Sequence, residues 1–372
     1  MSYLGSEIKK LGFGLMRLPM NGSEIDIEQT KAMVDEFMSE GFTYFDTAYV
    51  YGEDGASEKA AKAAVVDRYP RDAFQLASKL PIWCCDTAED MQKVFDTSLE
   101  RTGAGYFDFY LQHALDKDKV KKLDKFGAWD FVAGLKEKGL VKHMGFSFHD
   151  SAEVLDEILT AHPEQEFVQL QINYNDWESD SVQARKCYEV ARKHGKPIII
   201  MEPVRGGSLA VLTPEIQTLF RSVHPDKSIA SWAIRYAASL EGVITVLSGM
   251  SDFDQMRDNL ESTAQPIVLT DEEKATIEKA AEMLRNTPTI PCTGCKYCVE
   301  NCPANVNIPE IFRIHNQYSV YGNLDATKNR YQDRTKDSGK ASDCVACGQC
   351  ESVCPQHIEI IDLLKKSAEI FE

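Results

Sequence analysis

The chain contains no run of about eighteen apolar residues, so nothing in it reads as a membrane-spanning helix. Its opening segment, MSYLGSEIKK, lacks the apolar core of an export signal. Positive charge is scarce: 41 Lys and Arg stand against 58 Asp and Glu, a net charge of −17. That balance excludes nucleic acid and anionic lipid as general partners. No G-x-G-x-x-G turn follows the first β-rich run, although an open doubly wound dinucleotide fold would need one there.

Cysteine is what the chain has in a pattern. Eight of its eleven cysteines form two copies of C-x2-C-x2-C-x3-C-P. The first is Cys292, Cys295, Cys298 and Cys302 before Pro303; the second is Cys344, Cys347, Cys350 and Cys354 before Pro355. Three thiolates at this spacing can wrap three irons of a cubane, while the fourth cysteine of each run ligates the other cluster. The expected sets are therefore Cys292, Cys295, Cys298 and Cys354 for one [4Fe–4S] cluster, and Cys344, Cys347, Cys350 and Cys302 for the other. Zinc and disulfides are the plainer alternatives, but neither needs two matching runs of this form. Cys84, Cys85 and Cys187 are scattered and read as ordinary thiols. Free thiols beside low-potential clusters suit a reducing compartment, so the expected location is cytoplasmic.

Two unequal domains are expected. The helical run Asp271–Leu284 is followed by Asn286-Thr287-Pro288-Thr289-Ile290-Pro291, whose prolines cannot extend it. This places a first domain at 1–285 and a cysteine-organised one at 286–372. In the first, β-rich runs occur at Gly12–Leu18, Thr43–Asp46, Phe74–Ser78, Phe107–Gln112, Lys142–Ser147, Phe167–Ile172, Pro197–Met201 and Val243–Leu247. Between them lie helix-period segments such as Asp26–Ser39, Ala88–Arg101, Trp129–Glu137, Ala152–Leu159, Val182–Lys193 and Ser228–Ala238, with Thr87 and Ser151 as capping signals. Eight such repeats fit a (β/α)8 TIM barrel, for which ~250 residues is typical. In the second domain, helix periods at Ile308–Tyr321 and Ile358–Phe371 predict a mainly helical ferredoxin-like iron–sulfur unit. One face would carry Ile308, Ile311, Phe312 and Asn316, the other Ile361, Leu364 and Ala368. The charged segment Thr327–Lys340 reads as a solvated helix or loop.

A barrel keeps its chemistry at the carboxyl ends of its strands. Asp46, Lys79 and His113 fall at such ends, and Tyr51 in the loop beyond Asp46. Each alone has a bland explanation: a packed tyrosine, a solvated lysine, a satisfied core histidine. Four of them at one mouth point to a catalytic group.

The string Phe45-Asp46-Thr47-Ala48-Tyr49-Val50-Tyr51-Gly52, with Ser57-Glu58 beyond, resembles the signature of the aldo-keto reductase family. The likeness extends over residues 8–283. With the cysteine-rich tail, the chain is similar to the branch of that family fused to a two-cluster ferredoxin domain. The resemblance implies reduction of an aldehyde or ketone, or oxidation of the alcohol, with hydride from NAD(H) or NADP(H). Tyr51 would donate the proton, Lys79 would lower the phenol's pKa from its ordinary ~10, Asp46 would hold Lys79, and His113 would orient the carbonyl oxygen. It also implies cofactor contacts: Ser147 and Gln171 at the carboxamide, Gly206 and Gly207 in the loop near the pyrophosphate, and Ser248, Gly249, Gln255 and Asn259 around the adenosine half. The two glycines have a second explanation, a plain turn.

Four positions depart from the family pattern, in three ways. Phe148 stands where asparagine is common, Met201 where an aromatic residue stacks on the nicotinamide, and Gly249 and Gln255 where basic residues grip a 2′-phosphate. Without a cationic partner that phosphate loses its charge-assisted contacts, which favours NAD. Hydride carries two electrons and a cubane passes one, so a flavin or a radical-stable substrate would join the two chemistries. A redox partner protein would dock near the clusters. The competing reading is an electron-transfer or sensing module in which the barrel is only a docking scaffold.

Overall fold

A computed structural model describes residues 4–287, 289–300, 302–321 and 324–372. Pro288 of the expected linker lies outside these. Contacts divide the chain into two compact units, 1–203 with 231–269, and 204–230 with 270–372.

The first unit holds a closed parallel barrel of eight strands: β1 (Leu11–Gly14), β2 (Tyr44–Asp46), β3 (Gln75–Leu80), β4 (Phe107–Leu115), β5 (Val141–Phe148), β6 (Phe167–Gln171), β7 (Ile198–Met201) and β8 (Val243–Ser248). Each strand pairs with its sequence neighbours, and β1 closes the ring between β2 and β8. Tyr44, Ala77, Phe109, Leu111, Phe167, Ile199, Ile244 and Leu247 meet in one buried cluster. Filling a barrel of this size with large side chains leaves a packed interior, not a pore. Gly145 is part of that fit, because a Cβ there would lie 2.4 Å from the Phe167 carbonyl oxygen.

The expected strands are all present, and the first ends well short of its expected limit. The run Gly12–Leu18 stops being a strand at Gly14 and turns through a 3-10 segment, Leu15–Arg17. Helices follow the expected segments closely: Ile27–Ser39, Ala128–Glu137, Ala152–Ala161, Ala184–Lys193 and Ile229–Ser239. Ser151 caps its helix by accepting the Val154 N–H. Thr87 does not cap one. That helix begins at Asp90, and Thr87 instead donates to the Asp90 carboxylate, which also receives the Asp86 and Thr87 N–H groups.

The second unit holds helices at Pro214–Val223, Asp271–Arg285, Ile308–Tyr321, Leu324–Arg334 and Ile360–Phe371, and residues of the last three pack in one core with the two cysteine runs. Ile308, Ile311 and Phe312 are buried as expected, and Asn316 secures the first run by pairing both ways with the Ile290 backbone, at 2.6 and 2.8 Å. The last helix buries Ile360, Leu364, Ser367 and Phe371, leaving Ile361 and Ala368 at the shoulder of that face. Thr327–Lys340 differs from the expected solvated segment. Tyr331 is buried, stacked on Phe371 at 5.4 Å, donates to Glu372 and accepts the Ala341 N–H. A largely polar helix is thus anchored by one aromatic residue, which helical periodicity of apolar positions does not register. Among the described residues no helix is long and apolar enough to cross a membrane.

Candidate active site and cluster cavities

Alternation along β3 sets the geometry of the barrel mouth. Ala77 and Lys79 face the interior, while Ser78 faces outward and donates to the buried Glu58 at 2.8 Å. Lys79 is 1% exposed. Its Nζ reaches the Asp46 carboxylate at 2.6 Å, the Thr47 carbonyl at 2.8 Å and the Tyr51 hydroxyl at 3.4 Å. The ammonium also lies 4.7 Å from the Tyr51 ring centroid. Burial pushes Lys79 below its ordinary pKa and Asp46 above its own, and each charge opposes that shift in the other.

His113 stands edge-on to Tyr51, with ring centroids 5.8 Å apart. Burial holds its pKa well below 6.5, reinforced by the charges of Lys79, His149 and Lys119. The imidazole is therefore neutral at ordinary pH. β4 breaks register against β5 directly after Gln112, and Ala114 takes a positive φ of 51°. Such a bulge re-aims the side chain beside it. The displaced Ala114 N–H donates to Ser147 Oγ at 2.7 Å. Ser147 thereby uses a lone pair on the protein and keeps its O–H as a donor.

The loop carrying Tyr51 is bolted down. Ser57 Oγ lies 2.7 Å from Thr47 Oγ1 and donates to the Leu15 carbonyl, and Arg101 bridges Glu58 and the Tyr49 carbonyl. Nothing in the sequence foretells this use of Ser57 and Glu58. Nor does it single out Trp83, whose ring lies 5.0 Å from that of His113, or Arg17, which reaches Glu202 at 3.6 Å.

The other expected cofactor residues divide between the units. Gln171 donates to Asp176 at 2.9 Å, and Asn259 donates to Ser248 at 3.0 Å. Gln255 folds onto its own helix start, accepting the Ser251 N–H and donating to Asp252. Gly249 lies against the Arg17 side chain. Arg257, the nearest further cation along that helix, is engaged by Glu36 through two bonds, at 2.7 and 3.0 Å. Gly206 and Gly207 belong to the second unit. Both have positive φ, and a Cβ on Gly206 would lie 2.0 Å from the Thr293 carbonyl oxygen.

The eight motif cysteines line two cavities. Cys292, Cys295, Cys298 and Cys354 line the first; Cys302, Cys344, Cys347 and Cys350 line the second. Each cavity thus takes three thiols from one run and one from the other, the sets that the spacing suggested. Apolar walls complete them: Ile308, Phe312, Ile358 and Ile360 in the first, Val306, Ile361 and Leu364 in the second. Among the described residues no three Cys, His, Asp or Glu side chains close on a point where one metal ion could sit. Four thiols around a cavity suit a polynuclear group better than a single zinc ion. The three remaining cysteines are elsewhere. Burial pushes the Cys85 thiol up to about 11 and the Cys187 thiol to about 12, so both are unreactive near neutral pH.

Residues 10–282 match the model of the aldo/keto reductase family, and residues 291–359 that of the 4Fe-4S dicluster domain. A probable aldo-keto reductase 1 of Glycine max is 29% identical over 217 residues, covering 55% of this chain and 58% of the relative. Methylglyoxal reductase DkgA of Yersinia pestis is 32% identical over 149 residues, covering 40% and 48%. The chain thus spans about half the length of these curated relatives. Among solved structures, the holo form of an aldo-keto reductase from Bacillus halodurans superposes with a TM-score of 0.58 at 23% identity, covering 73% of this chain and 92% of that one. One from Klebsiella pneumoniae in complex with NADPH gives 0.56 at 21%, covering 73% and 90%.

Proposed function

We propose, for a chain that belongs to the aldo/keto reductase family and carries a 4Fe-4S dicluster domain, an oxidoreductase that reduces an aldehyde or ketone, or oxidises the alcohol, at the barrel mouth. The single observation that carries this reading is the placement of the buried Lys79 ammonium between Asp46 and the Tyr51 hydroxyl, 2.6 and 3.4 Å away. A scaffold gains nothing from burying a cation against a phenol, whereas a proton donor requires it.

In this reading Tyr51 gives its proton to the oxygen of the reacting carbonyl. Lys79 makes that proton easier to release by stabilising the phenolate left behind, and Asp46 fixes Lys79 in place. His113, held neutral by burial, donates a hydrogen bond to the same oxygen without competing as an acid. When bound, the nicotinamide supplies the hydride and the two clusters supply single-electron capacity. Ser147 has an O–H to offer a carboxamide, and Gln171, Gly206, Gly207, Ser248, Gly249, Gln255 and Asn259 are the further residues we assign to cofactor. NAD is favoured over NADP, because Gly249 and Gln255 carry no charge and Arg257 is committed to Glu36. We place the functional division at 1–285 and 286–372, and assign the eight motif cysteines as cluster ligands in the crossed sets that line the two cavities.

Anaerobic titration with NADH and NADPH, following the reduced nicotinamide and the cluster absorbance together, tests the reading. Carbonyl-dependent oxidation of the nicotinamide that vanishes in Tyr51→Phe is the expected result. Turnover unchanged by that substitution would leave Tyr51 as packing.

A further inference from the structure

We propose that electrons enter and leave this protein through the cluster of Cys302, Cys344, Cys347 and Cys350, at an apolar spot centred on Val345 that docks an electron carrier with a positively charged rim. The proposal rests on the two-cluster reading above, and goes beyond it by distinguishing the clusters.

The two cysteine runs have the same spacing, so Thr293 and Val345 occupy the same place, directly after the first cysteine. Their surroundings are opposite. Thr293 is 3% exposed, and within the same compact unit the turn at Gly206 is seated on its backbone so closely that no side chain fits between them. Val345 is 64% exposed. Ala346 and Cys347 beside it are exposed too. The residue after the first cysteine is covered in one copy of the motif and bare in the other. A bare valine beside a thiol that carries iron is what a transient electron-transfer contact uses: a small apolar centre, close to the redox group, with charge around it.

The charged residues of this segment are acidic. Between Ala341 and Leu364 the sequence has Asp343, Glu351, Glu359 and Asp362 and no Lys or Arg, with Asp362 alone paired to a lysine, Lys365, at 3.6 Å. Asp343 and Glu359 are exposed. Lys340 and Lys365 stand only at the borders of the segment. The rest of the protein is acidic as well, so a carrier with a basic rim is steered to this face and an acidic one is repelled. The transfer is simple to balance. One electron leaves the reduced cluster, which returns to its oxidised state, and the carrier is reduced by one; no atom or proton moves.

The test uses the full chain, iron-loaded, reduced with dithionite and desalted without oxygen. It is mixed with ferric cytochrome c as the basic one-electron acceptor, and haem reduction is followed by stopped flow. The second-order rate of the wild type is expected to fall at least about tenfold between low and high salt, because the encounter is steered by charge. Val345→Lys and, separately, Glu359→Lys are each expected to cut the low-salt rate at least about fivefold, with iron content and paramagnetic signals unchanged. Lys296→Ala, exposed beside the covered run, is expected to stay within about twofold of wild type. Should Val345→Lys lose iron, Glu359→Lys, which touches no ligand, carries the decision. Unchanged rates in the 345 and 359 variants, or an equal effect at Lys296, would overturn the proposal. Fewer than about four irons in the wild type would instead remove the two-cluster reading beneath it.

Discussion

Replacing Lys79 by Met removes a buried cation in contact with the Tyr51 hydroxyl, and its effect can be sized from the geometry. The ammonium lies 3.4 Å from the phenol oxygen. At an effective dielectric constant of ~20, a unit charge at that distance stabilises a phenolate by about 5 kcal/mol. Tyr51 is only partly buried, and solvent on its open side reduces that gain. The sign follows from the acid's role. Reduction needs protonated Tyr51, so the rate falls once pH exceeds the phenol's pKa. Without Lys79 that pKa rises, the proton is held more tightly, and turnover should drop by about 10²-fold or more. The alkaline limb of the kcat/KM profile should also move to higher pH. Methionine leaves Asp46 buried without its cation, at a cost of roughly 3–5 kcal/mol in stability if it stays ionised. The profile should therefore be measured in Lys79→Met with Asp46→Asn as well, with iron content and circular dichroism confirming the fold. An alkaline limb that stays where the wild type has it refutes the pairing of Lys79 with Tyr51.

His113 should contribute no acid limb near pH 6.5, since burial and neighbouring positive groups hold it neutral well below that value; a limb between pH 6 and 7 that disappears in His113→Gln would show that the imidazole titrates in the working range. Cys302→Ser should damage the cluster of Cys344, Cys347 and Cys350, whose cavity it lines, and paramagnetic resonance showing loss of only the Cys292 cluster would undo the crossing. Gly206→Ala, with positive φ and no room beside Thr293, should perturb the signal of the Cys292 cluster before that of its neighbour; equal change in both would count against a local contact. NADH should bind at least as tightly as NADPH, and Glu36→Gln, by releasing Arg257, should improve NADPH alone; calorimetry giving the wild type a tenfold preference for NADPH would contradict the reading of this pocket.

The barrel was legible because each buried strand is a short apolar run bounded by polar turns, a pattern that survives without any knowledge of pairing. Lys117–Phe126 was not legible, because KDKVKKLDKF buries only Leu123 and offers no apolar stripe; its one local signal is Asp116, whose carboxylate caps the Asp118 and Lys119 N–H groups. The short pairing of Met20–Asn21 with Glu24–Ile25 was signalled by Asn21-Gly22 and overlooked, since strands of two residues carry no periodicity. At the mouth, the identities of Asp46, Tyr51, Lys79 and His113 could be found, each at or just past a strand end. What could not be found were relations between distant residues: Arg257 with Glu36, Arg17 with Glu202, Trp83 against His113. Nor does any local signal foretell the bulge at Ala114, which depends on how β4 meets β5.

The exchange of one cysteine between the two cavities also bears on the order of synthesis. Residues 10–282 leave the ribosome as a contiguous stretch, able to form the barrel strands by local βα pairing. The first iron site then has to wait. Three of its thiols emerge by Cys298, but the fourth, Cys354, follows only after another 56 positions of chain. On the proposed ligation neither cluster can be closed before nearly all of the cysteine-bearing segment has been made. On that ligation iron is enclosed only after all the barrel strands have been made, and a nascent chain stalled short of Cys354 would carry an open, oxygen-sensitive thiol set.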